Sequence, residues 1–269
     1  MNNKVIGIIS IKGGVGKTSV VNALSAALAN CFNKKVLAVD ANFNSPHLAY
    51  QIGIHNPEVT LHHVLDDKSN IKDAIYDSGY GFDIIPGALI YQKIDPFKLA
   101  DKLRDVRRKY DFIILDSSPN LNEELLATMV ASDELLVVTT PDKVTLTSTL
   151  RAIKLAKDKR TPINGIIMNK VYGKDFEMDI NDIENNSGVN VLAVLPHELQ
   201  VLEALSKSIP STLHQQSPST LEYRKLAGAL VGEQHSEKGL KAFFQKLMYP
   251  VKKQDINRTI FAAERLNSL

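Results

Sequence analysis

The sequence predicts an α/β fold, with a mostly parallel central sheet of about seven or eight strands, helices on both faces and a C-terminal helical tail. Short apolar runs alternate with amphipathic helical patterns along most of the chain, which is typical of parallel strands joined by helices. Several of these runs end in a polar or charged residue, as strands do when a site lies at the carboxyl edge of a parallel sheet. A glycine-rich turn separates the first run from the first helical pattern.

The bulk composition is that of a globular chain without a nucleic-acid signature. Of its 269 residues, 44% are hydrophobic and 23% are charged, and the formal net charge of +2 is too small to indicate nucleic-acid binding. The single cysteine, Cys31, excludes an internal disulfide framework, and we expect it to pack at the end of the first helix. We find no leader pattern and no apolar run of roughly 18 residues. We therefore expect a cytoplasmic protein, or one attached peripherally to the cytoplasmic face of the cell membrane.

The first strand and helix enclose the loop around which the chain is organised. An apolar run, Val5 to Ile9, precedes residues 10–19, and a helical pattern from Val20 to Leu28 follows. Glycines let successive backbone N–H groups point at one anion, and the positive end of the helix adds to the same position. Lys17 would place its charge between the outer phosphates of a nucleotide, and the Thr18 hydroxyl would ligate Mg²⁺. The predicted nucleotide-binding residues of this loop are Lys12, Gly13, Gly14, Val15, Gly16, Lys17, Thr18 and Ser19.

The loop departs from the general G-x-x-x-x-G-K-[ST] pattern in a specific way. Ile11 stands where the first glycine is expected, and a second lysine, Lys12, precedes the paired glycines. This K-G-G-V-G-K-T form resembles the deviant Walker A motif of the ParA/MinD family, which has a P-loop NTPase fold of the SIMIBI type. The resemblance implies ATP and Mg²⁺ as cofactors and an ATP-dependent homodimer in which Lys12 reaches the partner's nucleotide. Residues 1–232 are then the predicted P-loop ATPase domain, and residues 233–269 are a linker and an amphipathic helical tail.

The second predicted strand, Lys35 to Asp40, ends in a carboxylate. In the family this position begins an Asp-x-Asp pair, whose first Asp organises Mg²⁺ and whose second positions the attacking water. Here the second position is Asn42, which can orient a water but cannot accept its proton. Either hydrolysis is slow, or Asp40 suffices and Asn42 is a tolerated variant. The catalytic residues that the resemblance implies are Lys12, Lys17, Asp40 and Asn42.

The middle of the chain carries a second motif. A helical pattern runs from Thr60 to Tyr76, a short strand lies at Phe82 to Ile85, and a basic-edged helix covers Asp95 to Lys109. The apolar run from Tyr110 to Leu115 then ends at Asp116 and resembles a Walker B strand. The Mg²⁺ residues that the resemblance implies, binding directly or through water, are Thr18, Asp40 and Asp116.

The last predicted strands carry the expected base-binding residues. Strand patterns, with the turns that follow them, at Glu134 to Pro141, Ile163 to Lys170 and Val191 to Glu198 alternate with helical patterns at Val144 to Asp158 and 217–232. In the family, an Asn at the end of the second of these strands binds adenine, and the backbone of the turn after the third cups the base. The resemblance therefore assigns Asn169, Lys170, Pro196, His197 and Glu198 to ATP binding.

The tail carries an amphipathic helical pattern at 238–248. Its apolar side, called the tail stripe below, consists of Leu240, Phe243, Phe244, Leu247 and Met248, with Lys241 and Lys246 beside it. This composition is typical of an interfacial membrane helix and resembles the targeting helix of MinD proteins. In those proteins the helix ends the chain, whereas here a further helical pattern, Ile256 to Leu266, follows. The alternative is a helix packed on the core or at a dimer interface.

The sequence thus predicts a MinD-like ATPase with slow, partner-stimulated hydrolysis. ATP would promote dimerisation, and dimerisation would promote attachment to an anionic membrane surface, so that the protein positions a cell-division or other cellular assembly. One alternative is a ParA-type DNA-partition ATPase, which needs surface lysines but not exposed phenylalanines. Another is a nucleotide-gated scaffold with little hydrolysis, which Asn42 would favour. Iron–sulfur carriers of the same superfamily are disfavoured because their cluster-binding cysteines are missing.

Overall fold

An eight-stranded sheet forms the centre of the protein. The structure is a computed structural model, which describes residues 3–89, 94–233 and 252–267. The strands are β1 (Lys4–Ile9), β2 (Val36–Ala41), β3 (Tyr76–Asp77), β4 (Asp83–Ile85), β5 (Phe112–Ser117), β6 (Glu134–Thr139), β7 (Ile163–Val171) and β8 (Val191–Pro196). Their order in the sheet is β3-β4-β2-β5-β1-β6-β7-β8, and only β3 is antiparallel to its neighbour. The predicted fold class is therefore confirmed, with β1 near the middle of the sheet.

Helices cover both faces of the sheet. They are α1 (Lys17–Phe32), α2 (Leu61–Leu65), α3 (Leu99–Arg107), α4 (Glu123–Ala131), α5 (Lys143–Asp158), α6 (Ile180–Ser187), α7 (Leu199–Ser206), α8 (Ser211–His214), α9 (Pro218–Val231) and α10 (Lys253–Asn267). Three short 3₁₀ turns, Tyr50–Ile52, Ile71–Ala74 and Pro96–Lys98, lie between them. The face that carries α1 and α9 has one apolar cluster, and the face that carries α2 to α6 has two.

Most strands have nearly continuous apolar sequences because both faces of the sheet are buried under helices. In β1, Ile6 and Ile8 pack toward α1 and α9, whereas Val5 and Ile9 pack into the clusters on the opposite face. All six residues of β2 and of β5 are buried. This packing places the carboxyl ends of β1, β2 and β5 side by side at one edge of the sheet.

The prediction of one helix from Thr60 to Tyr76 is wrong in its extent. Helix α2 ends at Leu65, a 3₁₀ turn forms at Ile71–Ala74, and β3 begins at Tyr76. Between them Asp67 adopts a left-handed backbone conformation with φ of 58°, which an α-helix does not accommodate. The Asn70 side chain then accepts a hydrogen bond from Lys72 N and starts the 3₁₀ turn separately. The apolar positions Leu61, Val64, Leu65 and Ile71 are nevertheless buried.

The expectation that Cys31 packs inside the protein is also wrong, since its side chain is exposed. It lies in the last turn of α1, where Asn30, Cys31 and Asn33 all point outward. The buried positions of this helix are concentrated between Val20 and Leu28. Cys31 therefore belongs to the polar side of the helix end.

Helix α10 confirms the helical pattern predicted at Ile256 to Leu266 and packs against the body of the protein. Asn257 Nδ2 and Arg258 Nη1 donate hydrogen bonds to the carbonyls of Val191 and Leu192, at 2.8 and 2.7 Å. Arg258 also pairs with the buried Glu222 of α9 at 2.7 Å. Helix α10 thus lies across the amino-terminal edge of the sheet, opposite to the carboxyl ends of the strands.

The predicted membrane residues Leu240, Lys241, Phe243, Phe244, Lys246, Leu247 and Met248 lie outside the described residues. Their assignment stays a prediction. Among the helices that are described, none is long and apolar enough to span a bilayer.

Candidate nucleotide-binding site

The loop between β1 and α1 forms an open cradle at the carboxyl edge of the sheet. Gly14 and Gly16 have φ of 77° and 97°, which residues with a side chain rarely adopt. A Cβ at Gly16 would lie 2.4 Å from Asn169 Nδ2, whereas a Cβ at Gly14 would meet nothing within 4 Å. Gly16 is therefore required by both its conformation and its neighbour, and space remains beside Gly14 for a ligand.

Lys17 begins α1 and points into the protein. Its side chain is only 7% exposed, and burial lowers the pKa of its ammonium group, an effect that the nearby carboxylate of Asp116 partly offsets. A buried ammonium group is costly unless an anion accompanies it. The arrangement thus favours a bound anion, as a nucleotide phosphate would provide.

Asp40 and Asp116 lie side by side because β2 and β5 pair in parallel register, with Asp40 opposite Asp116. Both side chains are buried. Burial and, for Asp40, the neighbouring charge of Asp116 raise the pKa of each carboxyl group above its ordinary value. Two buried carboxylates in neighbouring positions are the oxygen ligands that a hard cation such as Mg²⁺ prefers.

The carboxylate oxygens of Asp116 are available to ligate a cation at such a site. Neither of its oxygens makes a well-formed hydrogen bond among the described residues, although the Thr18 hydroxyl lies close enough to oppose the rise of its pKa. The structure therefore brings the three predicted Mg²⁺ residues, Thr18, Asp40 and Asp116, to the same edge. Together with buried Lys17 and the open cradle, their chemistry fits a Mg²⁺–nucleotide complex.

Asp40 also holds the loop that follows β2. Its two oxygens accept hydrogen bonds from Leu48 N at 2.9 Å and from Asn42 N at 3.3 Å. Asn42 Nδ2 donates to Ser45 O at 2.6 Å, which closes the turn, while Asn42 Oδ1 is buried and has no hydrogen-bond partner among the described residues. An orphaned carbonyl oxygen at this position could accept a hydrogen bond from a water molecule but could not take its proton.

Of the predicted base-binding residues, Asn169 and Lys170 contact the phosphate loop, and several of the five side chains are already engaged. Asn169 Nδ2 donates to Val15 O and Lys170 Nζ donates to Gly14 O, both at 2.7 Å. Glu198 accepts hydrogen bonds from Ser217 Oγ and Ser219 N, at 2.9 and 3.0 Å, and so fixes the start of α9.

The two remaining residues of this set lie beside the end of β7. The His197 and Tyr172 rings contact each other at a tilt of 41°, with centroids 4.6 Å apart, and the carbonyl of Pro196 accepts a hydrogen bond from Ser219 Oγ at 3.2 Å. Asn169 and Lys170 thus lie against the cradle, and the other three residues lie at the end of the neighbouring strand β8 or just after it. Which of the five contact a bound base stays a prediction.

Lys12 does not turn toward its own phosphate loop. Its Nζ atom donates to Thr145 Oγ1 at 2.7 Å and lies 3.7 Å from Asp142 Oδ1, at the start of α5. Asp142 caps this helix by accepting from Thr145 N. The two lysines of the motif therefore occupy different places, one buried beneath the cradle and one at its rim.

Sequence reasoning missed Glu124 as a candidate site residue. This glutamate of α4 is buried, one of its oxygens accepts from Asn44 Nδ2 and the other has no hydrogen-bond partner among the described residues. Burial raises the pKa of its carboxyl group, and the nearby backbone N–H of Asn44 and hydroxyl of Ser118 oppose this rise. It thus links the loop after β2 to the loop after β5. The Asn122 cap that starts α4 is visible in the sequence, but the long-range contact of Glu124 with Asn44 is not.

A deviant phosphate loop on a central strand, with paired carboxylates on two neighbouring strands, defines a P-loop nucleotide-binding protein. Residues 3–166 match the family described as an AAA domain. An uncharacterized ATP-binding protein of Methanocaldococcus jannaschii is 34% identical to this chain over 233 residues, which cover 85% of this chain and 88% of that protein.

Solved structures agree with this class. The cell division ATPase MinD of Pyrococcus furiosus has 33% sequence identity and a TM-score of 0.80, and the match covers 84% of this chain and 97% of that one. MinD of Pyrococcus horikoshii, complexed with Mg-ADP, has 31% identity and a TM-score of 0.80, with 84% and 95% covered. The chain therefore belongs to the ParA/MinD family of P-loop ATPases, which use ATP and Mg²⁺.

Proposed function

We propose that this protein is a MinD-like ATP-dependent switch, which dimerises with ATP, attaches to an anionic membrane surface as a dimer, and returns to the monomer after hydrolysis. The observation that carries the proposal is the placement of the two loop lysines. Lys17 is buried beneath the cradle, and Lys12 lies at the rim beside α5. A lysine at the rim is suited to reach the nucleotide of a second copy.

The surface around the cradle supports dimerisation. Most large apolar residues are buried in the part of the chain that the structure describes, but those exposed at this edge include Leu121, Val144, Tyr172, Phe176 and Leu199. Each follows the carboxyl end of a strand, so all five lie at the same edge of the sheet as the phosphate loop. Exposed apolar patches of this kind mark interaction surfaces. A second copy that covers this edge would exclude water from both nucleotides.

The chain's own residues would divide the hydrolytic work as follows. Backbone N–H groups of the phosphate loop and Lys17 would bind the phosphates, while Thr18, Asp40 and Asp116 would hold the metal, directly or through water. Bound Mg²⁺ would neutralise charge on the outer phosphates. Asn42 Oδ1 would orient the attacking water without removing its proton, which would make hydrolysis slow and leave room for an activating protein partner.

Membrane attachment is proposed from the tail stripe. Burial of five such side chains is worth roughly 1.5–3 kcal/mol each at most, and neighbouring lysines add about 1 kcal/mol each on an anionic surface. Incomplete immersion and helix ordering offset much of this gain, so a single tail would bind marginally. Two tails joined in an ATP dimer would bind far better through effective concentration. The protein would then be cytoplasmic, and peripheral on the cytoplasmic face of the cell membrane when ATP is bound.

Sedimentation velocity and co-sedimentation with anionic vesicles, each with ATP and with ADP, test the proposal. We expect an ATP-specific dimer and ATP-enhanced vesicle binding, both abolished in Lys17→Ala. Lys12→Ala should retain nucleotide binding but stay monomeric, and Phe244→Glu should dimerise without binding vesicles. A normal dimer of Lys12→Ala would contradict the role of this lysine across the interface. Co-sedimentation with DNA instead of vesicles would favour the ParA-type alternative.

A further inference from the structure

The carboxyl group of Glu124 lies between two loops that follow neighbouring strands. The first loop, residues 42–48, is called the β2 loop below, and the second, residues 118–122, is called the β5 loop. One oxygen of Glu124 accepts a hydrogen bond from Asn44 Nδ2 of the β2 loop. Burial raises the pKa of this carboxyl group, and the side chains of Ser118 and Asn122 in the β5 loop lie close enough to oppose the rise. Glu124 thus joins the two loops.

This arrangement does not favour folding by itself. Glu124 is only 7% exposed, and its second oxygen has no hydrogen-bond partner among the described residues. A buried carboxylate with an unpaired oxygen carries a desolvation cost that an apolar side chain would avoid. Groups that oppose folding in this way are expected mainly at functional positions. The carboxyl group of Glu124 is therefore a candidate for a role in the reaction.

The β2 loop carries Asn42, and a turn holds that residue in place. Asn42 Nδ2 donates to Ser45 O at 2.6 Å, and Ser45 N donates to Asn42 O at 3.3 Å, so residues 42–45 form one closed turn. Asn44 belongs to this turn, and its side chain reaches out of it to Glu124. The orientation of Asn42 Oδ1, which has no hydrogen-bond partner in the described part of the chain, therefore depends on the contact between Asn44 and Glu124.

The β5 loop lies beside the phosphate loop. A Cβ on Gly13 would lie 4.0 Å from Pro119 Cβ, which is ordinary van der Waals contact. In the same loop, Asn122 accepts a hydrogen bond from Leu125 N at 3.1 Å and so fixes the loop to the first turn of α4. That turn carries Glu124. Glu124 therefore connects the β2 loop to a segment that touches the cradle.

We propose that Glu124 is a positioning residue for ATP hydrolysis, which fixes Asn42 Oδ1 relative to the phosphate loop by holding Asn44. The inference rests on the proposed function, in which Asn42 orients the attacking water. Glu124 acts through the β2 loop and not on the nucleotide, so ATP binding should be independent of it. A displacement of about 1 Å at a positioned group can lower the rate by about 10²-fold.

Steady-state phosphate release tests the proposal. We expect Glu124→Ala and Asn44→Ala each to lower kcat by about 10- to 100-fold, while the KM for ATP and stabilisation by Mg-ADP stay unchanged. Glu124→Gln should keep most of the kcat, because its carbonyl oxygen can still accept the hydrogen bond from Asn44. The matched control is Glu123→Ala, an exposed neighbour on the same helix, which should hydrolyse ATP normally.

An Asn42→Ala background separates positioning from a purely structural role. If Glu124 acts through Asn42, adding Glu124→Ala to Asn42→Ala should lower kcat little further, and the two effects should be far from additive. Thermal unfolding of each variant reports whether the fold persists, and sedimentation velocity in ATP reports whether the dimer still forms. Asn44→Ala at an exposed position provides the same test if Glu124→Ala does not fold.

Three results would overturn the proposal. They are an unchanged kcat in Glu124→Ala and Asn44→Ala, an equal loss of kcat in Glu124→Gln and Glu124→Ala, and a full further loss on adding Glu124→Ala to Asn42→Ala. Any of these beside a slow Asn42→Ala protein would remove only the role of Glu124. An Asn42→Ala protein with unchanged kcat would contradict the proposed role of Asn42 itself, and this inference with it.

Discussion

At the scale of single residues, the pair Asp40 and Asp116 opposes folding when no cation is bound. Burial raises the pKa of both groups, and the charge of Asp116 raises that of Asp40 further, so the folded chain binds more protons than the unfolded chain above the ordinary pKa of 3.8. The free energy of unfolding therefore falls as the pH rises from about 4 toward neutrality. Bound Mg²⁺ would remove this cost by pairing both carboxylates with a cation.

The change Asp116→Asn should stabilise the nucleotide-free protein at neutral pH, because it removes one buried charge next to another. The pH dependence of the melting temperature between about pH 4 and 7 should become flatter, and stabilisation by Mg-ATP should be lost. Thermal unfolding measured across this pH range, with and without Mg-ATP, provides the test. The exposed Asp105→Asn is the matched control and should change neither quantity. A lower neutral-pH stability of Asp116→Asn would show that the pair is not repulsive.

A second prediction at this scale concerns water activation. If the missing carboxylate limits hydrolysis, Asn42→Asp should raise the ATPase rate, whereas Asn42→Ala should lower it because the group that orients water is lost. General-base assistance is worth about 10²–10⁴-fold in favourable cases, and we expect less because Asn42 already orients water. Steady-state phosphate release from all three proteins decides the matter. An Asn42→Asp rate at or below that of the original protein would mean that Asp40 and the neighbouring loops suffice.

At the scale of elements, α10 depends on a buried ion pair. Arg258 is enclosed with Glu222 and also contacts Asp255, so removing the guanidinium group alone leaves a buried carboxylate unpaired. We expect Arg258→Ala to lower the free energy of unfolding by about 3–5 kcal/mol, measured in urea.

Two further variants separate the charge effect from lost packing. Arg258→Met combined with Glu222→Gln removes both charges and should recover much of the stability. Arg104→Ala removes a largely exposed pair with Asp101 and should cost less than about 1 kcal/mol. Equal losses in Arg258→Ala and in the double variant would assign the effect to packing instead.

The elements that could be predicted from the sequence are those whose pattern is local. The strands β1, β2 and β5 to β8 are continuous apolar runs, and α1, α5 and α9 begin and end close to the predicted residues. The break after Leu65 was missed because the helical period continues across it, while the left-handed Asp67 interrupts the backbone. The two-residue strand β3 was missed because its pairing with β4 is a tertiary contact.

The helix at Ile256 to Leu266 was predicted, but the direction in which it faces was not. Its burial depends on partners in α9 and β8, distant in the sequence. The position of Lys12 beside Thr145 could not be predicted either, because it also depends on a contact between residues distant in the sequence. The predicted phosphate and metal residues converge because they follow strand ends, which a sequence does reveal.

At the scale of the whole molecule, the two edges of the sheet have different surfaces. The carboxyl edge carries the cradle and five exposed apolar residues, and the amino edge carries α10. If the carboxyl edge is the dimer face, Phe176→Asp should weaken the ATP dimer at least tenfold, because this 83% exposed side chain would otherwise be buried against the second copy.

Sedimentation velocity in ATP over a range of protein concentrations measures this effect, and stabilisation by Mg-ADP reports whether the monomer still binds nucleotide. Ile260→Asp at the opposite edge is the matched control and should dimerise normally. Equal dimerisation of both variants would place the interface elsewhere.

The contacts of α10 with β8 have one more consequence. β8 is the last strand of the sheet, and its outer side would otherwise offer free carbonyl groups to any extended peptide. Asn257 and Arg258 donate to the consecutive carbonyls of Val191 and Leu192, which point to opposite sides of the strand, so one outward carbonyl at its start is occupied. Helix α10 thereby hinders edge-to-edge pairing of β8 with strands of other molecules, so a chain shortened before residue 252 should gain a tendency to aggregate that is independent of nucleotide.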